Sequence, residues 1–244
     1  NTLKFEGIPA TGSINVLTYT GAKTGAFGTN LVVENAAKYR STSFTDISGV
    51  VTLDLGNKSL TWNGASGGQW DVKTSARWNT SEVDQFAWGD SVTFDDTGTA
   101  TSIAISGELQ PSSITVSGTK NYTFTGGAGN FISGLTGLTK SGASTLVLNA
   151  PNTFTGATTI SGGTVQIGDG TNNTATLGTG AASVASGSSL VFFRNGAYSV
   201  ANPVSGAGTL AFNGTGVSAQ SEYTLTGNNS SFSGILDIRS GARV

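Results

Sequence analysis

Apolar and polar residues alternate in short runs along most of the chain, and Gly, Ser and Asn separate one run from the next. A period of about two residues is typical of β-strands with one buried face. Leu31–Tyr39 is the best helical candidate, and it reads equally well as a strand followed by a turn. The pattern therefore predicts an all-β protein of many short strands. The clearest predicted strands are Ile14–Thr20, Val50–Leu55, Ser59–Trp62, Ser91–Phe94, Ser102–Ile105, Ser113–Val116, Asn121–Phe124, Thr145–Leu148, Thr164–Ile167, Leu190–Phe193, Thr209–Phe212 and Ile235–Ile238.

Internal repetition favours a solenoid over a sandwich or a closed barrel. Ser141–Asn149 (SGASTLVLN) recurs 64 residues later as Ser205–Asn213 (SGAGTLAFN). Phe154–Gly163 has a weaker counterpart 78 residues later in Phe232–Gly241. The two offsets differ by 14 residues, which places an insertion around Thr215–Asn228. An insertion of this kind fits a loop that leaves a stack of coils.

In a stack of coils, like residues lie above like residues, so the alternation also predicts the core. Leu146 and Leu148 should point inward, while Thr145 and Val147 should point outward. The outward Thr, Ser and Asn residues would form polar ladders, and low charge suits them because stacked like charges repel. The predicted core residues are Leu146, Leu148, Phe154, Ile160, Val165, Ile167, Leu210, Phe212, Phe232 and Ile238.

Composition removes several classes of function. Only 11% of the residues are charged and the net charge is −2, so the chain has no basic surface for nucleic acid. His and Cys are both absent, which excludes disulfides, the usual zinc sites and nucleophilic catalysis that depends on His or Cys. No apolar run is long enough to span a membrane. We therefore expect a protein that is not an enzyme, has no cofactor and does not insert into a membrane.

One stretch resembles a known family. Gly137–Gly170 (GLTKSGASTLVLNAPNTFTGATTISGGTVQIGDG) is similar to the autotransporter-associated β-strand repeat, with departures only at Ser144, Phe154 and Val165. The resemblance implies a right-handed parallel β-helix in the passenger region of a long bacterial protein. It also implies a location outside the cell or on its outer surface.

The chain divides into three sections in this interpretation. Residues 1–60 are predicted to form an irregular β segment, which would be the end of a preceding solenoid unit. Residues 61–97 form a connecting section rich in Trp and Asp, of a kind also found beside repeats of this family. Residues 98–244 are predicted to form the solenoid, with one repeat at about 137–170 and a degenerate one at about 205–244.

Carboxylates concentrate at one place in the chain. A polysaccharide-degrading enzyme would use such groups as an acid–base pair, and a calcium site would use them as ligands. The alternative is that they are turn residues, as the sequence Asp95-Asp96-Thr-Gly suggests. The weak calcium candidates are Asp95, Asp96 and Asp169. The whole carboxylate group consists of Glu82, Asp84, Asp90, Asp95 and Asp96.

Trp62, Trp70 and Trp78 are spaced by eight residues, and Trp88 follows. An exposed row of aromatic rings would make a platform for sugars. The other interpretation is that the rings pack together where the coil pattern is irregular, and the presence of Trp at the same places in similar family segments favours it.

The two ends of the chain suggest assembly. Ser240–Val244 stops inside a repeat, Asn1–Phe5 reads as the strand that would follow it, and neither end carries a recognisable cap. We expect the chain to stack on itself head to tail, or on adjoining units of a longer chain, as a structural fibre or passenger. The alternatives are an adhesin or carbohydrate-binding module that contacts surface glycans and, less favoured, a polysaccharide-degrading β-helix.

Overall fold

The computed structural model of the chain describes residues 12–20, 33, 35–65, 67–79, 84–215, 221–239 and 241–244. These residues form 27 strands and one 3₁₀ turn at Ala36–Lys38, and no α-helix occurs among them. The predicted strand at Asn1–Phe5 lies outside the described residues, and so does Glu82. Within Leu31–Tyr39, the described part forms the 3₁₀ turn and residues 31, 32 and 34 are not described. The all-β prediction is confirmed.

The first three strands form a separate antiparallel sheet. They are β1 (Gly12–Thr18), β2 (Thr42–Ile47) and β3 (Val50–Leu55), in the order β1-β3-β2. Apolar and polar residues alternate along β3, so Val51 and Leu53 are buried while the residues between them face outward. The tight turn between β2 and β3 uses Ser48 and Gly49, which have positive φ angles of 52° and 83°.

The remaining strands are short and follow one another around successive coils. The first of these strands are β4 (Ser59–Thr61), β5 (Gln69–Trp70), β6 (Ala76–Trp78), β7 (Asp84–Gln85), β8 (Ser91–Phe94), β9 (Ser102–Ile105), β10 (Glu108–Leu109), β11 (Ser113–Val116), β12 (Tyr122–Thr125) and β13 (Phe131–Ile132). The middle of the chain supplies β14 (Gly137–Lys140), β15 (Thr145–Asn149), β16 (Pro151–Asn152), β17 (Thr158–Ile160), β18 (Thr164–Ile167), β19 (Thr176–Leu177) and β20 (Ala182–Val184). The last strands are β21 (Ser189–Phe193), β22 (Tyr198–Val200), β23 (Val204–Ser205), β24 (Thr209–Asn213), β25 (Ser221–Leu225), β26 (Ile235–Ile238) and β27 (Ala242–Arg243).

Each coil passes through three parallel sides. The first side is the seven-stranded sheet β4-β8-β11-β14-β17-β20-β23, and the second is the eight-stranded sheet β5-β9-β12-β15-β18-β21-β24-β26. The third side consists of the shorter sheets β10-β13, β16-β19 and β22-β25-β27. Ser91, Ser113 and Gly137 are aligned on the first side, so two successive coils contain 22 and 24 residues. The fold is a β-solenoid of about six turns.

Apolar rows run through the interior from coil to coil. One row on the second side consists of Leu146, Val165, Leu190 and Leu210, because each residue is aligned with the next one in the pairing of neighbouring strands. A parallel row two residues further along the strands contains Leu148, Ile167, Phe192 and Phe212. Eight of the ten predicted core residues are no more than 1% exposed, namely Leu146, Leu148, Phe154, Ile160, Val165, Ile167, Leu210 and Phe212.

The other two predicted core residues correct the sequence interpretation. Ile238 is 51% exposed and Phe232 is only partly buried. Ile238 belongs to β26, which pairs with β24 and with no other strand among the described residues. Its register also differs from that of its sequence counterpart Ile160, because Ile238 pairs with Phe212 on the second side whereas Ile160 pairs with Val184 on the first.

Glycine is required where neighbouring coils approach most closely. Gly163 has a φ of +67°, and a Cβ at this position would clash with the carbonyl oxygens of Ser144 and Gly142 in the preceding coil. Any other residue at this position would be strained, both by the backbone conformation and by the close approach of the preceding coil.

Parallel stacking begins at β4, which pairs with β8 on the first side. Strands β5 and β9 make the matching pair on the second side. The section predicted as a connector, residues 61–97, therefore contributes strands to the stack. The division into sections at residues 60 and 97 stays a prediction.

Candidate assembly ends of the solenoid

An aromatic cluster fills the end of the solenoid where the stack begins. Trp62 and Trp70 are fully buried, and Trp78 is 1% exposed. The ring centroids lie 5.0 Å apart for Trp62 and Trp78 and 5.6 Å apart for Trp70 and Trp78, with edge-to-face geometry. Phe86 and Phe94 pack against the same rings, and their centroids lie 5.4 and 5.3 Å from that of Trp70. We call these five side chains the aromatic plug.

Burial of the tryptophans corrects the sugar-platform hypothesis. A sugar stacks on an exposed ring face, whereas Trp62, Trp70 and Trp78 have their faces against one another and against phenylalanines. Their burial agrees with the other interpretation, in which the rings pack against one another inside the protein. Trp88 is also buried, and its indole N–H donates to the carbonyl of Glu108 at 3.1 Å.

Beside the plug, the first-side strand β4 has hydrogen-bonded neighbours along both of its edges. The segment around β4 pairs with β8 on one edge, and the segment around β6 runs antiparallel along the other edge. There the N–H of Asn79 donates to the carbonyl of Thr61 at 2.7 Å, and the N–H of Asn63 donates to that of Arg77 at 2.9 Å. Trp62 and Trp78 face each other across this junction in an antiparallel bridge. The sequence pattern gave no indication of this pairing, because β6 is only three residues long.

A charged cluster joins the N-terminal sheet to the first coil. Arg40, just before β2, donates from Nε and Nη2 to the two carboxylate oxygens of Asp90, both at 2.8 Å. Arg40 Nη1 lies 3.2 Å from Asp84, which also accepts from Lys58 Nζ at 2.5 Å. Asp90 is fully buried and accepts two further hydrogen bonds, from the backbone amides of Lys58 and Ala87. A bidentate pair with this many donors fixes the orientation of three chain segments.

The two carboxyl groups of this cluster titrate differently. Burial raises the pKa of Asp90, against the opposing effect of Arg40 and the two amides. For Asp84, burial also raises the pKa, but the hydrogen bonds from Lys58, Gln85 and Arg40 outweigh it and hold the pKa below its ordinary value.

The predicted carboxylate group is divided between two places. Asp84 and Asp90 share Arg40, whereas Asp95 and Asp96 follow the far end of β8. Five residues of extended chain separate Asp90 from Asp95, a distance of about 16 Å. Glycosidases hold their two carboxyl groups about 5–10 Å apart. Asp95 therefore lies too far from Asp90 to pair with it, and the two carboxylates that do lie close together, Asp84 and Asp90, both accept hydrogen bonds from Arg40.

The three calcium candidates accept hydrogen bonds from their own turns or from neighbouring coils. Asp95 accepts from the amide and hydroxyl of Thr97 at 2.9 and 2.5 Å. Asp96 accepts from the amides of Thr119 and Lys120 at 2.7 and 2.9 Å, and these bonds lower its pKa. Asp169 accepts from the amide of Thr171 at 2.9 Å and from the side-chain amide of Asn149. Within the described part of the chain, no three carboxylates converge as a metal site would need.

Two buried cations were not singled out by the sequence. Lys140 is fully buried and stands in a first-side row between Val116 and Ile160. Its Nζ donates to the carbonyls of Ser141 at 2.7 Å, Gly142 at 3.0 Å and Gly162 at 3.3 Å, and burial lowers its pKa. Because Gly162 belongs to the next coil, the ammonium group connects two coils at the same corner.

The second buried cation, Arg194, lies at the corner after β21. Its guanidinium carbon lies 3.7 Å from the centre of the Tyr198 ring, and Nη2 donates to the carbonyl of Asn173. Burial lowers the pKa of Arg194. A Lys at an inward position of an alternating strand was the available signal for Lys140.

The opposite end of the solenoid leaves apolar side chains exposed. Leu236 and Ile238 of β26 continue the two interior rows of the second side, where they pair with Leu210 and Phe212. They are 48% and 51% exposed, whereas Leu210 and Phe212 are buried. Ile235 and Val244 are exposed beside them. We call β26 and β27 with these side chains the open edge.

Stacked parallel coils with buried apolar rows place the chain among the β-solenoids. More particularly, residues 138–167 match the model of the passenger-associated-transport-repeat family. The matched residues extend from β14 to β18 and therefore cover one complete coil and two sides of the next. The match confirms the resemblance to a passenger repeat and supports a structural, non-catalytic β-helix of a secreted or surface protein. Comparison with curated proteins and with solved structures gives no significant match. None of the helical segments among the described residues could cross a membrane.

Proposed function

We propose that the chain is an extracellular structural solenoid, a passenger segment that holds and spaces material at a bacterial surface. The observation that carries this proposal is the unbroken apolar row on the second side, which links the coils from β9 to β24 through one continuous core. Each coil buries its apolar residues only against its neighbours, so a stack of this kind spans a length set by its number of coils, as a spacer requires.

The outward faces support the same role. Interior strands expose small, uncharged residues such as Thr115, Thr139 and Thr159, which are aligned on the first side. Their side chains suit a pleated surface and avoid the repulsion that stacked charges would cause. With 11% charged residues, the chain has few groups for steering charged substrates or partners.

The competing functions find less support among the described residues. A glycan-binding face would need exposed aromatic rings, and the three tryptophans of the plug are buried. A polysaccharide-degrading site would need carboxyl groups free to exchange a proton with a substrate, whereas Asp84 and Asp90 both accept hydrogen bonds from Arg40.

Surface display tests the proposal. The chain would be inserted between a bacterial outer-membrane translocator and an epitope tag, and intact cells would be probed with an antibody. We expect the epitope to be accessible and the inserted chain to resist brief trypsin treatment. A glycan array probed with the same purified chain serves as the competing test. An epitope that stays inside the cell would contradict the structural role. Specific binding of the purified chain to glycans on the array would also contradict it.

A further inference from the structure

We propose that Asn195 is a site of spontaneous deamidation, where the chain acquires a carboxylate at the corner between β21 and β22. This chemistry does not depend on the proposed function. The sequence contains three Asn-Gly pairs, and the structure holds them in three different ways. Asn-Gly is a reactive sequence because glycine has no side chain to hinder approach to its own backbone nitrogen. The pairs are Asn63-Gly64, Asn195-Gly196 and Asn213-Gly214.

Deamidation passes through a cyclic imide and consumes only water. The backbone nitrogen of Gly196 gives up its proton and attacks Cγ of Asn195, so that a new C–N bond closes a five-membered ring. The bond from Cγ to Nδ2 breaks, and the side-chain nitrogen takes up a proton and leaves as ammonia. Water then adds to either carbonyl carbon of the imide and opens the ring to aspartate or isoaspartate. Both the Gly196 amide and the Asn195 side chain must be able to move for the ring to close.

Neither reacting group is held at Asn195. The side chain is exposed, and within the described part of the chain it forms no hydrogen bond. The N–H of Gly196 donates to none of the described residues, whereas the N–H of Asn195 itself donates to the carbonyl of Asn172 at 3.1 Å. Gly196 has a φ of +78°, and a Cβ at this position would meet no described atom within 4 Å. The corner therefore has both the room and the unengaged groups that ring closure needs.

The pair Asn63-Gly64 has the same sequence, but its reacting atoms are held. Nδ2 of Asn63, the atom that would leave, donates to the carbonyl of Asn79 at 3.0 Å. The N–H of Gly64, which would be the nucleophile, donates to the carbonyl of Arg77 at 3.1 Å. Gly64 is also buried, and a Cβ there would lie 2.9 Å from Ala100. Both hydrogen bonds must break before the ring can close, so local opening limits the reaction at this pair.

The third pair is constrained by its strand and by packing. Asn213 is the last residue of β24, and its Oδ1 accepts from Arg239 Nη1 at 3.1 Å. Gly214 lies directly against the backbone of Gly241, where a Cβ would clash. These contacts limit the rotation that brings the glycine nitrogen to Cγ. The expected order of reactivity, from fastest to slowest, is Asn195, Asn213, Asn63.

The new carboxylate would arise next to a buried cation. Arg194 is 4% exposed and forms no ion pair with a described carboxylate. A negative charge on the adjacent residue would favour the charged guanidinium, which burial disfavours. Only 11% of the residues are charged, so each deamidation makes the net charge of −2 more negative by one in a chain with few charges. Asn195 is thus a position where the surface charge of the folded chain changes with time.

Peptide mass spectrometry of the intact chain, after incubation in mildly alkaline buffer, tests the proposal. Digestion with pepsin in acid stops further imide formation, and each deamidation raises a peptide's mass by one unit. The same incubation in guanidinium chloride gives the unfolded reference for each pair. We expect Asn195 to react in the folded chain within about three-fold of its unfolded rate, and Asn63 at least about ten-fold more slowly than its own.

Equal protection of Asn195 and Asn63, each relative to its unfolded rate, would overturn the proposal. Faster deamidation at Asn213 than at Asn195 in the folded chain would also overturn it. Gly196→Ala checks the chemistry, because its methyl group hinders the attacking nitrogen and should slow the reaction at Asn195 even in the unfolded chain. An unchanged rate in this variant would exclude the imide route. Asn63 keeps its sequence in the variant and serves there as the matched control.

Discussion

The two ends of the solenoid are made from similar strands but differ in what lies next to them. At one end, Trp62 and Trp70 are fully buried because Trp78 of β6 and Phe94 of β8 pack against both of them. At the other, Leu236 and Ile238 are about half exposed although they continue the buried rows of Leu210 and Phe212. In a solenoid, an inward position is buried by the neighbouring coil and not by the pattern of its own strand.

The largest expected effect comes from removing a ring of the aromatic plug. Trp70→Ala removes a fully buried ring that contacts Trp78, Phe86 and Phe94. We expect it to lower the free energy of unfolding by about 3–5 kcal/mol, as truncation of large core side chains does. Urea unfolding followed by circular dichroism measures this change. A loss of less than about 1 kcal/mol would mean that the plug is not part of the cooperative core.

A pair of equivalent substitutions compares the interior with the open edge directly. Leu210→Ala should lower the free energy of unfolding by about 2–5 kcal/mol, because the residue is buried between two coils. Leu236→Ala, one coil further along the same row, should cost only about 1 kcal/mol. The same urea titration serves for both variants. Equal losses would show that Leu236 is as well buried in solution as Leu210, and this would contradict the difference in exposure between the two residues.

The smallest effect is expected from ionisation of Tyr122, beside the aromatic plug, at alkaline pH. Tyr122 packs against Phe94 and donates to the carbonyl of Asp95 at 2.5 Å, and burial, with help from Asp95 and Asp96, raises its pKa to about 12. Folding therefore favours the neutral phenol. Its contribution to stability is complete below pH 10, the ordinary pKa of Tyr, and is lost as the pH rises from 10 to about 12.

Thermal unfolding at several pH values checks this prediction, with Tyr122→Phe as the control. The wild-type melting temperature should fall more steeply above pH 10 than that of the variant. Tyr39, Tyr198 and Tyr223 also have raised pKa values through burial, so the variant should keep part of the decline. Identical pH profiles would assign the whole decline to other groups.

Much of the fold follows from local alternation. The predicted strands at Val50–Leu55, Ser91–Phe94, Ser102–Ile105 and Thr164–Ile167 coincide with β3, β8, β9 and β18. Each has two or more apolar residues on one face, which is enough signal to identify a strand. The strands that sequence analysis missed, such as β17 (Thr158–Ile160), are shorter and rich in Thr, so they contrast less with the loops around them.

The ends of the solenoid were harder to predict, for a physical reason. The junction beside the aromatic plug depends on pairing between Thr61–Asn63 and Arg77–Asn79, and pairing across a loop leaves no periodic trace in the sequence. The eight-residue spacing of the tryptophans identified the right residues but could not distinguish a buried cluster from an exposed row. Register was equally hidden, which is why Ile238 resembled Ile160 in sequence but lies on a different side.

The buried position of Lys140 has a consequence for proteolysis. A protease that cleaves after lysine must take the entire side chain into its own specificity pocket. Lys140 is fully buried, and its ammonium group is held by carbonyls of two coils, so this peptide bond becomes a substrate only after the coils separate. The chain has only 12 Lys and Arg residues in 244. Burial of even one of them therefore protects a substantial share of the sites that trypsin-like proteases can cleave.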